Sequence, residues 1–434
     1  MKYRREAHAA EGAFFLHPSS LILFPSPSFS PRIGKKPAAA RRENTLRISL
    51  QINYTRIVDK GCGKAENTPA PETFIRRMKN KFLFLCLAPL LSGTAAFAQT
   101  TVTTDPVGFI NETVAGALSG SPQYTFISPT LTNPIAFQGT IASITSTTIT
   151  INGASFTADQ FDGANGSYYV EVFNATNPGA LADITGTSSN SVTVDANLTS
   201  FASAGDSIRI RQHVTLGQLL GANNTYGFQS NANSQSADLI IVYNGVVNDS
   251  VSQTTYFYYP ADGTVSASWM DTGFNSYGTP GGANGATIAP FQGIIIKRIA
   301  AGNITITSTG TVKTGNTLFP VFAGGSNVMG TASAQGLTLG NSGLYTGNAS
   351  TGLQASSTGV NPDQIIIYNG QSQTTYFYYA GDGSVPAEWM DTGFNLYGTT
   401  GGANSQPIAP GTSFIVQRFN GAAFNWVLPS PSSF

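Results

Sequence analysis

The C-terminal three quarters of the chain alternates apolar and polar positions with a period of two. Thr148-Ile149-Thr150-Ile151, Ser191-Val192-Thr193-Val194, Ile208-Arg209-Ile210-Arg211 and Ile304-Thr305-Ile306-Thr307 each place β-branched groups on one side and polar groups on the other. That is the pattern of a half-buried strand. Asn152-Gly153, Asn244-Gly245, Asp262-Gly263, Asn369-Gly370 and Asp382-Gly383 are turn dipeptides of the kind that closes hairpins. Helical spacing is scarce, and the best candidate is a turn or two at Leu216–Leu220. The pattern predicts an all-β protein built from several small antiparallel sandwich or barrel domains.

Six strand candidates fall near 139–145, 147–151, 167–174, 181–185, 190–195 and 206–211. They predict a small barrel or sandwich over residues 138–213, within an N-terminal β region at 99–213. Residues 99–137 are expected to lend edge strands to a neighbour. Downstream the chain repeats itself. Residues 253–298 and 373–418 align without a gap at 30 identities in 46 positions. Gln253-Thr254-Thr255-Tyr256-Phe257-Tyr258-Tyr259 returns as Gln373-Thr374-Thr375-Tyr376-Phe377-Tyr378-Tyr379. Trp269-Met270-Asp271-Thr272-Gly273-Phe274-Asn275 returns as Trp389-Met390-Asp391-Thr392-Gly393-Phe394-Asn395. Upstream, Asp238 and Asp363 open matching apolar runs. A unit of roughly a hundred residues is domain-sized rather than a solenoid coil. The two modules are expected at 214–318 and 319–434.

Charge divides the chain differently. Its 434 residues carry no net charge, yet residues 1–98 hold 16 Lys and Arg against 6 Asp and Glu, and residues 99–434 hold 6 against 16. The boundary coincides with an export signal. Lys79 and Lys81 follow Met78, residues 82–91 are apolar, and Ala96-Phe97-Ala98 precedes Gln99. A basic start, a short apolar stretch and a small-x-small site form a secretory signal peptide over 78–98, cleaved between Ala98 and Gln99. The apolar stretch is too short to span a bilayer, which takes about 18 residues or more. Arg76-Arg77 lacks the hydrophobic residues that follow the arginines of a twin-arginine signal, and Cys86 sits mid-stretch rather than at a lipoprotein cleavage site. Residues 1–77 are Arg- and Pro-rich without periodicity. They read as a disordered leader, or as sequence upstream of a true start at Met78.

The expected mature chain has no Cys, one His (His213) and three Glu (Glu112, Glu171 and Glu388). These counts remove most chemistries. Zinc sites need several Cys or His, so no metal and no cofactor are assigned. Calcium stays open through Asp262, Asp382, Asp271 and Asp391, but none lies in a dense Asp-x-Asp loop, and turn formation explains Asp262 and Asp382. His213 has no nucleophile elbow to serve, reads as a polar residue at a surface or domain junction, and no catalytic residue is assigned. Glycoside hydrolysis needs two facing carboxylates. Glu388 and Asp391 are near neighbours, but Ser268 stands at the Glu388 position of the first module. Nothing in the charge pattern fits a nucleic-acid partner. Pro429 and Pro431 interrupt the amphipathic strand that would end an outer-membrane barrel at Phe434.

The repeated aromatics carry the remaining interest. Tyr256 and Tyr258 leave one face of a strand, Phe257 and Tyr259 the other. Such a strand is covered on both sides, or it exposes a face able to stack on sugars. Trp269 and Trp389 present the same choice, whereas Tyr277 and Tyr397, in Gly-rich loops, are expected to be exposed. With Asp271 and Asp391, these four are the ligand-binding candidates.

The run Thr104-Asp105-Pro106-Val107-Gly108-Phe109 after a signal peptide, the segment Gly205-Asp206-Ser207-Ile208-Arg209 and the tandem aromatic modules resemble an uncharacterised family of exported, repeat-containing β proteins of verrucomicrobia-type bacteria. The resemblance covers most of residues 100–434. It implies export and residence at the surface or outside the cytoplasm, and it brings no catalytic residues. The expected function is a non-enzymatic structural or adhesive surface protein with an extracellular or cell-envelope partner. The alternatives are a carbohydrate-binding protein using the repeated Trp and Tyr, and an extracellular hydrolase.

Overall fold

The computed structural model describes residues 105–429, apart from 164, 165, 248, 249, 291 and 360. The residues expected to form the leader and the signal peptide, with Ala98 and Gln99, and Phe434 lie outside the described residues. What is described is almost entirely β, in several antiparallel sheets and one closed six-stranded barrel. No helix among the described residues is long and apolar enough to cross a membrane.

The barrel closes in the order Ile135–Ile144, Thr148–Ile151, Ser191–Val194, Leu181–Thr187, Tyr168–Asn174 and Ser207–Gln212. Its interior is the apolar half of the alternating runs: Ile149, Ile151, Val192, Val194, Ile208 and Ile210, joined by Val170 and Val172 and capped by Phe156 and Phe161. A short sheet closes this tightly only if its strands bend, and register shifts at Ile141/Ser143, Val172/Asn174 and Ile184/Gly186 supply the bends. Gly139 is required where the wall is tightest, since a Cβ there would stand 2.7 Å from the Ile151 side chain.

The polar half of the same strands faces outward. Tyr169 pairs with Arg211 on one side and Asp183 on the other. Part of this outer face carries a buried charge network. Glu171 meets Lys313 Nζ at 2.7 Å and Arg211 Nε at 3.4 Å, and Arg211 also binds Asp105. Burial pulls the Lys313 ammonium below its ordinary pKa, and the Glu171 carboxylate opposes that pull. Breaking one partner of such a network strands a charge in the interior.

Each repeat builds a five-stranded sheet of the same order. In the first it runs Ser268–Asp271, Ser250–Tyr259, Leu239–Val247, Ile294–Arg298, Gln123–Ile127. In the second it runs Glu388–Asp391, Ser372–Tyr379, Gln364–Asn369, Ser413–Arg418, Gly325–Gly330. A small antiparallel sheet accompanies each: Val107–Val114, Ile304–Val312 and Leu131–Thr132 in that order, and the pair Thr317–Val321 with Phe424–Leu428. The first sheet therefore draws its edge strand from ahead of the barrel, and the barrel lies between two pieces of one module. Thr317–Val321 straddles the 318/319 division expected from sequence.

Local chemistry explains the small elements. Leu216–Leu220 is a helix opened by a capping box, in which the Thr215 and Gln218 side chains each bond the other's backbone N–H. Thr338 and Asn341 repeat the device at the 3-10 turn Leu339–Asn341. Asn369-Gly370 sits at a tight hairpin closed by the Asn369–Ser372 pair. Asn244-Gly245 differs from its expected turn. It is a bulge at φ +104 for Gly245, and the hairpin continues beyond it to Val247 and Ser250.

Candidate functional site

The two tryptophans proposed for ligand stacking are core residues. Trp269 is 0% exposed and Trp389 2%. Trp269 Nε1 donates to the Gly221 carbonyl at 2.9 Å, and its ring meets Phe228 and Tyr258 edge-on. Trp389 meets Tyr378 in the same way. The reason is cover on both faces. Ser268, Trp269 and Met270 are all buried, with Trp269 in the main core and Met270 in a second cluster with Phe257 and Tyr259. Both indoles are thereby part of the core.

The residues that do reach solvent lie on the loop after these strands. Asp271 organises that loop. Its Oδ1 accepts from Gly273 N at 2.9 Å and Asn275 Nδ2 at 2.8 Å, and its Oδ2 accepts from Ser276 N at 3.3 Å. Burial raises the Asp271 pKa, but the bonds from Asn275, Gly273 and Ser276 outweigh it and hold the carboxyl below its ordinary value. Asp391 receives Asn395 Nδ2 in the second module. Both aspartates therefore act as loop anchors. The following phenylalanine is forced into the left-handed region in both copies, Phe274 at φ 57° and Phe394 at φ 54°.

That turn folds the loop back over the outer face of the sheet. Phe257, Tyr259, Phe274 and Tyr277 form a chain of edge-on and tilted ring contacts, and Phe377, Tyr379, Phe394 and Tyr397 repeat it. Tyr277 is 41% exposed and Tyr397 44%. At the base of each chain lies an aspartate. Asp262 Oδ2 accepts from the Tyr259 and Tyr277 hydroxyls, both at 2.8 Å, and Oδ1 accepts from Thr264 N and Val265 N. Backbone donation from Val265 and the tyrosine hydroxyls holds its carboxyl far below the usual range. Asp382 repeats the arrangement with Tyr397 as its strongest donor. The matching phenols rise, Tyr379 to about 12, through burial and then its bond to Asp382. Each module thus presents an exposed tyrosine pinned to a carboxylate whose pKa those bonds lower.

Glu388 and Asp391 stand three positions apart on the strand Glu388–Asp391, so their side chains leave opposite faces. They do not converge on one bond. Glu388 packs beneath Gly402, where an added Cβ would lie 2.9 Å from its carboxyl carbon.

His213 occupies the junction between the barrel and the first module. It is 3% exposed, and its Nε2 lies 2.9 Å from Asp183 Oδ1. Its ring centroid is 4.8 Å from that of Tyr169. The sequence points to a junction histidine, but not to the Tyr169 and Asp183 that strand pairing brings beside it. The three line a cavity of about 270 Å³.

Sequence reasoning also missed two buried ion pairs. Arg298 bonds Asp238 in the first module, and Arg418 bonds Asp363 in the second. The signal was present: both members of each pair recur between repeats in a chain with few charges. Among the described residues no three His, Cys, Asp or Glu side chains cluster as a metal site. No family model, curated protein or solved structure matches this chain.

Proposed function

We propose that this chain is an exported, non-enzymatic structural or adhesive protein of the cell surface, and that its two modules attach it to an extracellular or cell-envelope partner. The observation that carries the reading is the duplicated edge: Tyr277 over Asp262, and Tyr397 over Asp382, exposed at the same position of each sheet. A ring that shows one edge to solvent while its hydroxyl is locked is pre-ordered, so little side-chain entropy is lost on contact. Two such edges on one chain bind a repetitive surface in a bivalent way, which raises avidity by about 10²–10⁴ when both engage. The signal segment at 78–98 and the resemblance to exported β proteins support the location.

A glycan is the partner chemistry that the edge favours, because a partly exposed, pre-ordered aromatic ring offers apolar surface to the C–H groups of a sugar. The ligand residues in this reading are Tyr277 and Tyr397, without Trp269 and Trp389. The test is binding of the exported chain to a glycan array and to isolated cell envelopes. Tyr277→Ala and Tyr397→Ala should each weaken retention at least tenfold, and the double variant should abolish it. Equal retention by wild type and double variant would remove the adhesive edge from consideration.

A further inference from the structure

The second module carries an open cleft beside its tryptophan, bounded by the 3-10 turn Leu339–Asn341 and the strands Ser372–Tyr379 and Glu388–Asp391. Its volume is about 330 Å³, within the roughly 300–1,000 Å³ of small-molecule sites. Asn341 and Gly343 are exposed at its rim, and Tyr345, Tyr378 and Asn404 are half-buried along its walls. Tyr345 and Tyr378 stack face to face, with ring centroids 3.4 Å apart. The Tyr378 hydroxyl is already in use, donating to the Ala387 carbonyl at 3.3 Å.

Hydrogen bonds within the protein fix which groups are left for the cleft. Asn341 Oδ1 accepts from the Thr338 backbone N–H at 2.7 Å, and Asn404 Oδ1 accepts from the Trp389 backbone N–H at 3.1 Å. A backbone N–H only donates, so in both amides the oxygen is the engaged end and Nδ2 is the free one. Among the described residues neither Nδ2 has a partner, and neither is sealed from solvent. The Tyr345 hydroxyl is in the same state. So is Nε1 of Trp389, whose ring lines the cleft at one edge. The first module spends these groups internally. Leu216-Gly217-Gln218 stands there in place of Leu339-Gly340-Asn341, Trp269 Nε1 donates to the Gly221 carbonyl at 2.9 Å, and Phe228 meets the indole edge-on.

We propose that this cleft binds one neutral saccharide unit, at a site separate from the Tyr277 and Tyr397 edges and present in the second module alone. Among the described residues no Asp, Glu, Lys, Arg or His lines it, so a charged ligand would lose hydration without gaining a counter-charge. Asn341, Asn404 and Trp389 each offer an N–H, so the ligand must bring acceptor oxygens. Sugar hydroxyls and an acetamido carbonyl supply them, whereas a purely apolar ligand would leave the donors dry. The Tyr345 hydroxyl both donates and accepts, and so takes a sugar O–H. The rings of Tyr345 and Tyr378 form the apolar wall against which the C–H groups of a pyranose pack. Both amides are held in place by the backbone bonds to their oxygens, so the donors are ordered before any ligand arrives.

The test is calorimetric titration of the full exported chain with D-glucose, D-galactose and N-acetylglucosamine, one at a time. Saturable one-to-one binding of at least one sugar is expected. Asn341→Asp and Asn404→Asp keep the engaged oxygen and replace the free donor with a second oxygen, so each should weaken binding about tenfold. Tyr345→Phe removes a hydroxyl that bonds nothing in the protein. It should weaken binding severalfold and leave the melting temperature of the unliganded chain unchanged. Gln218→Glu, the matching change in the first module, should bind as the wild type does. Binding of none of the sugars would overturn the proposal. Wild-type affinity in Asn341→Asp, Asn404→Asp and Tyr345→Phe would overturn it too. If the Tyr277→Ala/Tyr397→Ala variant then lost binding, the sugar would belong to the edges instead. The edge reading is scored separately, by envelope retention, which the three cleft variants should leave intact.

Discussion

Arg298 donates through Nη1 to Asp238 Oδ2 at 2.8 Å, with both side chains buried against the end of the first module's sheet. The aspartate is the busier partner. Its two oxygens also accept from the backbone N–H of Gln229, Ile299 and Ala300. Arg418 and Asp363 duplicate the pair, with Gln354, Phe419 and Asn420 as the backbone donors. The carboxylate thus ties an incoming loop to the turn after the strand Ile294–Arg298, and the guanidinium neutralises it.

This arrangement predicts an asymmetry. Removing one partner of a buried pair costs about 3–5 kcal/mol. Arg298→Met leaves Asp238 with three backbone donors, so its cost belongs at the low end, about 3 kcal/mol. Asp238→Ala strands the guanidinium and three N–H groups together and should cost more. Urea unfolding of both variants checks the order. Equal midpoints for wild type and Asp238→Ala would contradict the role given to the carboxylate.

Much of this fold is legible in the sequence because it is local. Period-two alternation marks the barrel strands, Thr215 and Gln218 mark a helix start, and Asn369-Gly370 marks a hairpin. The unread parts are non-local. Nothing near Gln123–Ile127 says that its partner is Ile294–Arg298, with a whole barrel between them. The Trp269 and Trp389 strands hide their burial for another reason. Where both faces are covered, alternation disappears, and an indole in the core looks like an indole on the surface. Tyr169 and Asp183 lie on different strands and His213 just beyond the end of a third, so only the pairing of those strands joins them.

The contrast between buried indole and exposed phenol separates stability from binding. Trp269→Ala and Trp389→Ala should each cost about 3–5 kcal/mol, the usual range for emptying an aromatic core position. Tyr277→Ala and Tyr397→Ala lose one hydrogen bond and a partly exposed ring, about 1 kcal/mol. Thermal melts beside the envelope-retention assay test this. Tryptophan variants should lose stability, and tyrosine variants should lose retention.

The proposed export makes a prediction at the N-terminus. N-terminal sequencing of the protein recovered outside the cytoplasm should begin at Gln99. Mass spectrometry of the unprocessed precursor then decides between the two accounts of residues 1–77. A precursor beginning at Met78 identifies the true start, and any peptide from 1–77 establishes a translated leader.

Glu112 makes stability depend on pH. It lies on Val107–Val114 opposite Ile306, and its carboxyl packs against Gly411 of the second module so closely that a Cβ there would stand 1.7 Å from Oε1. Burial pushes its pKa up from 4.5 to about 7. A carboxyl raised on folding holds its proton more tightly in the native state, so native stability falls as pH rises. The contribution is whole below about pH 4.5 and is lost as pH climbs through about 7. Asp262 and Asp382 act with opposite sign. Their lowered pKa values give stability that disappears only as pH falls below the ordinary aspartate value of 3.8, outside the Glu112 window. Glu112→Gln keeps the shape and removes the titration. Urea midpoints across pH 4 to 8 should therefore show the variant gaining on the wild type from about pH 4.5, with the gap levelling off above about pH 7. Comparing variant with wild type cancels the other titrating groups, since distant sites add independently. Parallel curves would show that the Glu112 carboxyl is solvated where it meets Gly411.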